Sequence, residues 1–248
     1  MQHSRSASAN MMAMLAFPPL VPASQAPALA QPRRGDLPVR RLFDAPAETK
    51  TGQVRASVLS FQNMHLYGDL LVNFLRARKK VFIDRLHWHL PEAEGMEFDQ
   101  YDTPLCRWIV IHEFGEVLGG IRLTPTTARC GMYSYMLRDA QRGLLQEIPT
   151  DVLFFDAPVS RAIWEASRLF IAEDVPSQRR LQIQAAIMDA LSRTACDLGA
   201  SQVIGIVPAV WSRWLRRIEL DAVPVGPKFA IDGTVSQAAL FNTLRRRN

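Results

Sequence analysis

The spacing of apolar positions resolves the chain into elements from about Val58 onward. Leu70, Leu71, Phe74, Leu75, Arg78, Val81 and Phe82 recur at three- and four-residue steps, which predicts an amphipathic helix with Arg76, Lys79 and Lys80 on its outer face. Arg107 to Phe114 alternates and is rich in Ile, Val and Trp, the pattern of a strand. Gly115-Glu116 turns the chain and Val117 to Leu123 returns, closed by Pro125. Another strand is expected over Ala162 to Ile171. The clearest helix runs from Ser177 to Leu198, with Leu181, Ala185, Met188, Leu191, Ala195 and Leu198 on one face, Pro176 at its first turn and Gly199 as its stop. Gln202 to Val207 reads as a buried strand and Ala209 to Arg217 as a short helix. There is no internal repeat. Helix, hairpin, strand, helix and strand predict an α/β (α+β) chain, a single three-layer α/β/α domain around a sheet.

Residues 1–55 have a different texture. Pro18, Pro19, Pro22, Pro27, Pro32 and Pro38 recur among Ala, Ser and Gln, a density that forbids helix interiors and sheet centres, so a disordered extension is expected. Arg5, the apolar stretch Met11 to Val21 and Ala28-Leu29-Ala30 also imitate a secretory signal, although Pro18-Pro19 interrupts its core. An overlong start assignment would leave the same composition. The organisation expected is therefore an extension over 1–55, a domain over 56–240 and a basic tail over 241–248.

Composition narrows the class. Of 248 residues, 48% are apolar and 21% charged, as in ordinary globular proteins, which excludes disordered, collagenous and coiled-coil architectures for most of the chain. No run of about 18 apolar residues is present, so no membrane span is expected. The net charge of +5 suits an acidic partner. Three widely spaced cysteines, Cys106, Cys130 and Cys196, form no Cys-x-x-Cys pair. This fits the reducing cytoplasm, with each thiol read as a small buried hydrophobe.

Several familiar sites are missing from the sequence: the Gly-x-x-x-x-Gly-Lys phosphate loop, the Gly-x-Gly-x-x-Gly fingerprint, the Gly-x-Ser-x-Gly elbow and a second His for His112-Glu113. His87 and His89 read as exposed side chains rather than metal ligands, and no metal is expected. Arg245-Arg246-Arg247 lacks the interleaved aromatics that nucleic-acid binding asks for, so no nucleic acid is expected as a partner.

Three charged clusters remain. Arg78-Lys79-Lys80-Val81-Phe82 is followed by Trp88; Glu97-Phe98-Asp99-Gln100-Tyr101-Asp102 sets carboxylates beside aromatic rings; Trp164-Glu165-Ala166-Ser167-Arg168 embeds charge in an apolar segment. Charges among apolar neighbours need partners, and such clusters are enriched at functional sites as well as in structural ion pairs.

Taken in order, Arg78-x-x-x-Phe82-x-x-x-x-x-Trp88, Glu97-x-Asp99-x-x-Asp102, Arg122-Leu123-x-Pro125-Thr126 and Trp164-Glu165-x-Ser167-Arg168 closely resemble the acyl-homoserine-lactone synthases, the LuxI-type autoinducer synthases. The likeness runs from about Phe61 to Gly233 and takes in Trp211 to Arg217 and Val225-Gly226-Pro227. Residues 1–55 have no counterpart in it, and Cys130 to Leu137 departs from its usual short hydrophobic wording.

The resemblance implies an N-acetyltransferase-like fold with a V-shaped opening in a mixed sheet. It implies an enzyme of quorum sensing that transfers an acyl group from acyl-acyl carrier protein to the amine of S-adenosylmethionine, closes the lactone and releases methylthioadenosine. S-adenosylmethionine is then a substrate, and no cofactor is expected. Carried over residue by residue, Glu165, Arg168 and Arg122 are the catalytic set, with Glu165 the base. Arg78, Phe82, Trp88, Asp99 and Asp102 bind S-adenosylmethionine: the carboxylates take its cationic groups, Arg78 or Arg168 its carboxylate, and the rings its adenosine and sulfonium. Oxyanion donors would come from backbone near Phe170. Arg76, Lys79, Lys80, Arg213, Arg216 and Arg217 would meet the acidic carrier protein. Val207 stands in the acyl pocket where producers of 3-oxo lactones tend to place a threonine, so unsubstituted chains are expected to be preferred. Two other readings stay open. One is an acyl-CoA-dependent N-acyltransferase of the same fold, although Asp174-Val175-Pro176 stands where its Gly-rich loop would open the helix. The other is a non-catalytic relative that binds ligand or carrier protein.

Overall fold

Apolar strands separated by turn residues build a mixed sheet with helices on both faces. In this computed structural model residues 54–209, 222–231 and 233–243 are described. In chain order they form β1 (Val54–Leu59), α1 (Leu70–Lys79), β2 (Glu92–Ala93), β3 (Met96–Glu97), β4 (Arg107–Glu113), β5 (Glu116–Pro125), α2 (Met136–Gln141), β6 (Ile163–Ile171), α3 (Ser177–Asp197), β7 (Gln202–Pro208), β8 (Val223–Ile231) and β9 (Thr234–Asn242). Among these residues the main sheet has the order β1-β4-β5-β6-β7-β9-β8, and β2 and β3 pair separately.

The layers follow from strand alternation. Ile109, Ile111, Ile121, Leu123, Trp164 and Ala166 face α3, where Ile183, Ile187, Leu191 and Ala195 cover them. On the opposite face Trp108 and Val110 pack with Phe74, Leu75 and Phe82 of the α1 segment. Further along that face, Ile204, Ile206, Ala238 and Leu240 pack with Tyr135, Met136 and Leu137 at the start of α2. Gly120 lets α1 approach closely: a Cβ there would lie 2.7 Å from the Phe74 ring and 2.2 Å from the Ile109 carbonyl. The three-layer arrangement is the one expected, and no helix among the described residues is long and apolar enough to cross a membrane.

Every pairing in the main sheet is antiparallel except β6 with β7, which is parallel and short. It holds from Ile163 with Gln202 to Ala166 with Gly205 and stops there. Past that point β6 continues to Ile171 and β7 to Pro208 without pairing to each other, so the sheet splits between them.

Several expectations shift. Helical periodicity continues past Lys79 into Val81 and Phe82, but α1 ends there and a wider π-type turn carries Lys80–Arg85. The apolar face of α3 is Ile183, Ile187, Met188, Ala190, Leu191 and Ala195; Leu181 and Ala185 are exposed. β1 starts at Val54, two residues ahead of the expected domain boundary, and β9 takes Phe241 and Asn242 from the expected tail. Only Cys106 is a buried thiol; Cys130, in the loop between β5 and α2, and Cys196, in the last turn of α3, are exposed. The expected helix beyond Ala209, the N-terminal extension up to Gln53, Arg213, Arg216, Arg217 and the basic run at 245–247 lie outside the described residues.

Candidate active site

Arg78 lies on the buried stripe of α1, four residues after Phe74, so its guanidinium is carried in over β4. There it meets the loop that follows β3. Its Nη1 and Nη2 donate to the two carboxylate oxygens of Asp102 at 2.8 and 3.0 Å, and its Nε donates to Glu97 Oε2 at 2.5 Å. The spacing Glu97-x-Asp99-x-x-Asp102 is explained by the loop itself. The Asp99 carboxylate accepts from the N–H of Tyr101 at 2.8 Å, and the Asp102 carboxylate accepts from the N–H of Asp99 at 3.0 Å. Each acid thus holds the turn that presents the other. Trp108 of β4 donates its indole N–H to Asp102 at 2.8 Å.

Arg122 projects from β5 onto the same face. It donates to Asp99 at 2.5 and 3.2 Å, its Nη1 lies 3.0 Å from Asp102, and its Nε donates to the Ser167 hydroxyl at 3.1 Å. Arg168 closes the set, donating to Glu97 at 3.1 Å and to Asp99 at 2.9 Å. Its position depends on an irregularity in β6. Between the pairs Gly120 with Phe170 and Arg122 with Ser167, β6 has one residue more than β5, and Arg168 takes φ +55°. This bulge turns two consecutive side chains, Ser167 and Arg168, onto one face. Three cations and three anions are thereby paired in a closed, charge-balanced cluster.

The cluster is nearly sealed. Arg78, Glu97 and Arg122 are fully buried, Asp99 and Asp102 almost so, and the Arg168 side chain keeps 11% of its surface in contact with solvent. Burial alone would push the Asp102 carboxyl up, but Arg122 and Arg78 outweigh it and hold it well below the usual carboxylate range. Asp99 is held down in the same way by Arg122 and Arg168. The same attractions keep Arg78 and Arg122 above their usual range in spite of burial.

Phe82 and Trp88 flank this cluster. Their rings stack at 5.1 Å, the Phe170 edge meets Phe82 at 6.1 Å, and the Arg168 guanidinium lies 5.8 Å from the Phe82 ring centre. Trp88 is half-buried and forms the open end of this aromatic row.

Glu165 stands apart. Two residues before Ser167 on β6, it is fully buried, and its oxygens accept from the backbone N–H groups of Met136 at 2.9 Å and Leu137 at 2.7 Å. It caps the first turn of α2, which supplies N–H groups with no partner in the helix. Burial pushes its carboxyl up to about 7, against the lowering influence of those N–H groups and of Arg122. A carboxyl poised near neutral pH can accept a proton and release it again. The Cys106 thiol below the cluster is pushed up to about 12 by burial, which makes it a poor nucleophile.

The structure thus brings Arg78, Asp99, Asp102, Arg122 and Arg168 into one network beside Phe82 and Trp88, with Glu165 further along the same face. Glu97, Trp108 and Ser167 join the network without having been assigned a role. Glu97 shares its side of the loop with Asp99, a two-residue spacing that was visible in the sequence. Val207 is buried on the α3 side with Trp164, Ala239 and Phe241, while its neighbour Ile206 faces the Glu165 side. Phe170 lies past the point where β7 leaves β6. Of the expected docking cations, Arg76 and Lys80 are exposed, but Lys79 is paired with Asp84 at 2.6 Å and Glu92 at 3.1 Å.

Comparison with known proteins gives the family. Residues 63–246 match the family described as autoinducer synthase. The chain is 28% identical over 189 residues to isovaleryl-homoserine lactone synthase of Bradyrhizobium diazoefficiens, covering 76% of this chain and 80% of that one. It is 32% identical over 193 residues to an acyl-homoserine-lactone synthase of Acinetobacter nosocomialis, covering 75% and 98%. Among solved structures it is similar to BjaI, described as a CoA-dependent acyl-homoserine lactone synthase with SAM and isopentyl-CoA, with a TM-score of 0.63 and 26% identity over 78% of this chain and 85% of that one. The chain belongs to the autoinducer synthase family and is an acyltransferase, an acyl-homoserine-lactone synthase.

Proposed function

We propose that the chain acylates the amine of S-adenosylmethionine from a thioester carried on a phosphopantetheine arm and then closes the homoserine lactone. The observation that carries this reading is Glu165, a buried carboxyl raised to about 7 beside the split between β6 and β7. An ammonium cannot attack a thioester, so Glu165 takes its proton directly or through a water. The freed amine attacks the thioester carbonyl and the thiol leaves. The substrate carboxylate then attacks the carbon bonded to the sulfonium, breaking that bond and releasing methylthioadenosine.

The arginine–carboxylate cluster acts here as a rigid floor. Asp99 and Asp102 are neutralised by arginines, so they hold the loop in place and offer the substrate amine only what remains of their negative potential. Arg168, the solvent-reaching member, takes the substrate carboxylate, and Phe82 with Trp88 forms the wall for adenosine and sulfonium. The enzyme needs no cofactor in this scheme. It acts in the cytoplasm, where both substrates are made.

For the donor we favour acyl-acyl carrier protein, which the exposed Arg76 and Lys80 would attract. The likeness to the CoA-dependent BjaI supports acyl-CoA as the second reading. Mass spectrometry of products from purified protein, S-adenosylmethionine and matched acyl-carrier and acyl-CoA donors separates the two by kcat/KM. Lactone formed from neither donor would overturn the synthase reading. Paired 3-oxo and unsubstituted donors in the same assay test the acyl preference inferred at Val207, which equal use would reject.

A further inference from the structure

In the strongly paired interior around Glu165, two buried hydroxyls have no hydrogen-bond partner among the described residues, Tyr101 and Thr124, and the second lies on the strand beside it. Thr124 of β5 is 1% exposed, and its Oγ1 has no hydrogen-bond partner among the described residues. Buried polar side chains are nearly always satisfied, so an orphan of this kind marks a place where a ligand or water is held. Its location is specific. Thr124 is the residue directly opposite Glu165 in the β5–β6 ladder. Residues facing each other across an antiparallel pair project to the same side, with Cβ atoms about 4.5–5.5 Å apart. The Thr124 hydroxyl and the Glu165 carboxyl therefore project to the same side as nearest cross-strand neighbours.

The surroundings leave that side few other polar groups. Glu165 uses its two oxygens on the N–H groups of Met136 and Leu137. Ile204 is its partner on β7, an apolar side chain in the cluster with Tyr101, Tyr135 and Leu137. The ionisable groups that bear on Glu165 are Arg122 from β5, Asp139 from α2, Tyr135 at the start of α2 and Tyr101 from the loop after β3. Arg122 is already held by Asp99, Asp102 and Ser167, and Asp139 by Arg142 and the N–H of Ser134. Two neighbours keep a donor to spare, Thr124 and Tyr101, and of these Thr124 is the one that stands directly opposite Glu165 in the ladder.

We propose that Thr124 is a positioning residue whose hydroxyl holds the water through which Glu165 takes the proton from the substrate amine. The hydroxyl donates to the water oxygen or to the ionised carboxylate, and the water donates to Glu165 while accepting from the ammonium. As the amine attacks, its proton passes to the water and the water's own proton to Glu165, so one proton is moved and none is lost. The proposal rests on Glu165 being the proton acceptor.

The test measures kcat, KM for S-adenosylmethionine and the pH dependence of kcat in Thr124→Val, Thr124→Ala, Thr124→Ser and Glu165→Gln, with melting curves for each. Thr124→Val and Thr124→Ala should keep KM while kcat falls about tenfold, the loss of one well-placed hydrogen bond. Without the donor the charged carboxylate is less stabilised, so the rising limb of kcat should move to higher pH. Thr124→Ser should restore both. Wild-type kcat and pH limb in folded Thr124→Val, with Glu165→Gln inactive, would overturn the proposal and leave Glu165 as the base. A fall that is equal at every pH, or that serine fails to rescue, would also overturn it by making the role structural. An active Glu165→Gln would overturn the base assignment and this proposal together.

Discussion

The arginine–carboxylate cluster and the Glu165 environment lie on the same face of the same sheet and solve the problem of buried charge in opposite ways. Around Asp102, two guanidiniums, an indole N–H and a backbone N–H satisfy one carboxylate. Glu165 has two backbone N–H groups and no bonded cation. Full pairing drives the first carboxyl down and fixes its loop, whereas incomplete compensation lifts the second into the range where it exchanges protons. Saturated charge gives geometry and undersaturated charge gives chemistry.

The comparison can be broken most forcefully at Arg122. Arg122→Met strands Asp99 and Asp102 without their shared cation, and removing one partner of a buried pair costs about 3–5 kcal/mol. Urea unfolding should show that loss, with activity falling in step. Glu165→Gln should act in the opposite manner: the fold persists while kcat drops about 10²–10⁴-fold, as for removal of a general base.

The pH dependence of stability should also differ in sign. The folded-state carboxyl of Glu165 is raised from an ordinary 4.5 to about 7, so between these values the folded protein binds the extra proton. Its contribution therefore falls as pH rises through that window, by up to about 1.4 kcal/mol per unit. Asp99 and Asp102 are depressed, so their contribution is present above the ordinary carboxylate range and is lost only as pH falls below it. Unfolding at pH 5 and pH 7.5 should show Glu165→Gln gaining on the wild type at the higher pH. Equal gaps at both would place Glu165 outside the low-dielectric setting described. The smallest effect should come from Arg168→Lys. The side chain is partly solvated, so exchanging its two bonds for one costs about 1–2 kcal/mol, while KM for S-adenosylmethionine rises.

Much of this was legible before any coordinates. The hairpin of β4 and β5, the start of α1 and the extent of α3 follow from periodicity, and the clusters that compose the site follow from charge set among apolar residues. The failures have separate causes. α3 carries two overlapping apolar stripes, and the one through Leu181 and Ala185 fitted the period as well as the stripe through Ile183 and Ile187 that the sheet covers. Pro224 and Pro227 hid β8 from periodicity, and only the family resemblance at Val225-Gly226-Pro227 pointed to a strand there; it tolerates the prolines because it is an edge strand with a register shift between Pro224 and Lys228. β1 was obscured by the proline-rich composition just before it. Arg168 was expected in the catalytic set, with either it or Arg78 on the substrate carboxylate, but nothing in its spacing announced a left-handed backbone or its bonds to Glu97 and Asp99. Such closure is a property of three dimensions.

The bulge at Arg168 sets the phase of β6. Up to Ser167 the odd-numbered residues face α1 and α2 and the even-numbered ones face α3; beyond it Phe170 faces α1 while Leu169 and Ile171 face α3. One residue thus works as a frameshift in side-chain direction. The extra residue is what lets both ends of β6 face their own layers: if the strand kept all its residues but paired regularly, Phe170 would be turned into the α3 interior and Leu169 and Ile171 out against the aromatic row. Deleting Arg168 would instead let the ladder run straight with Leu169, Phe170 and Ile171 facing as they do now, at the loss of the charge and its bonds to Glu97 and Asp99. A one-residue deletion at the bulge is therefore close in effect to a point substitution there, whereas removing a residue outside it would turn one end of the strand over.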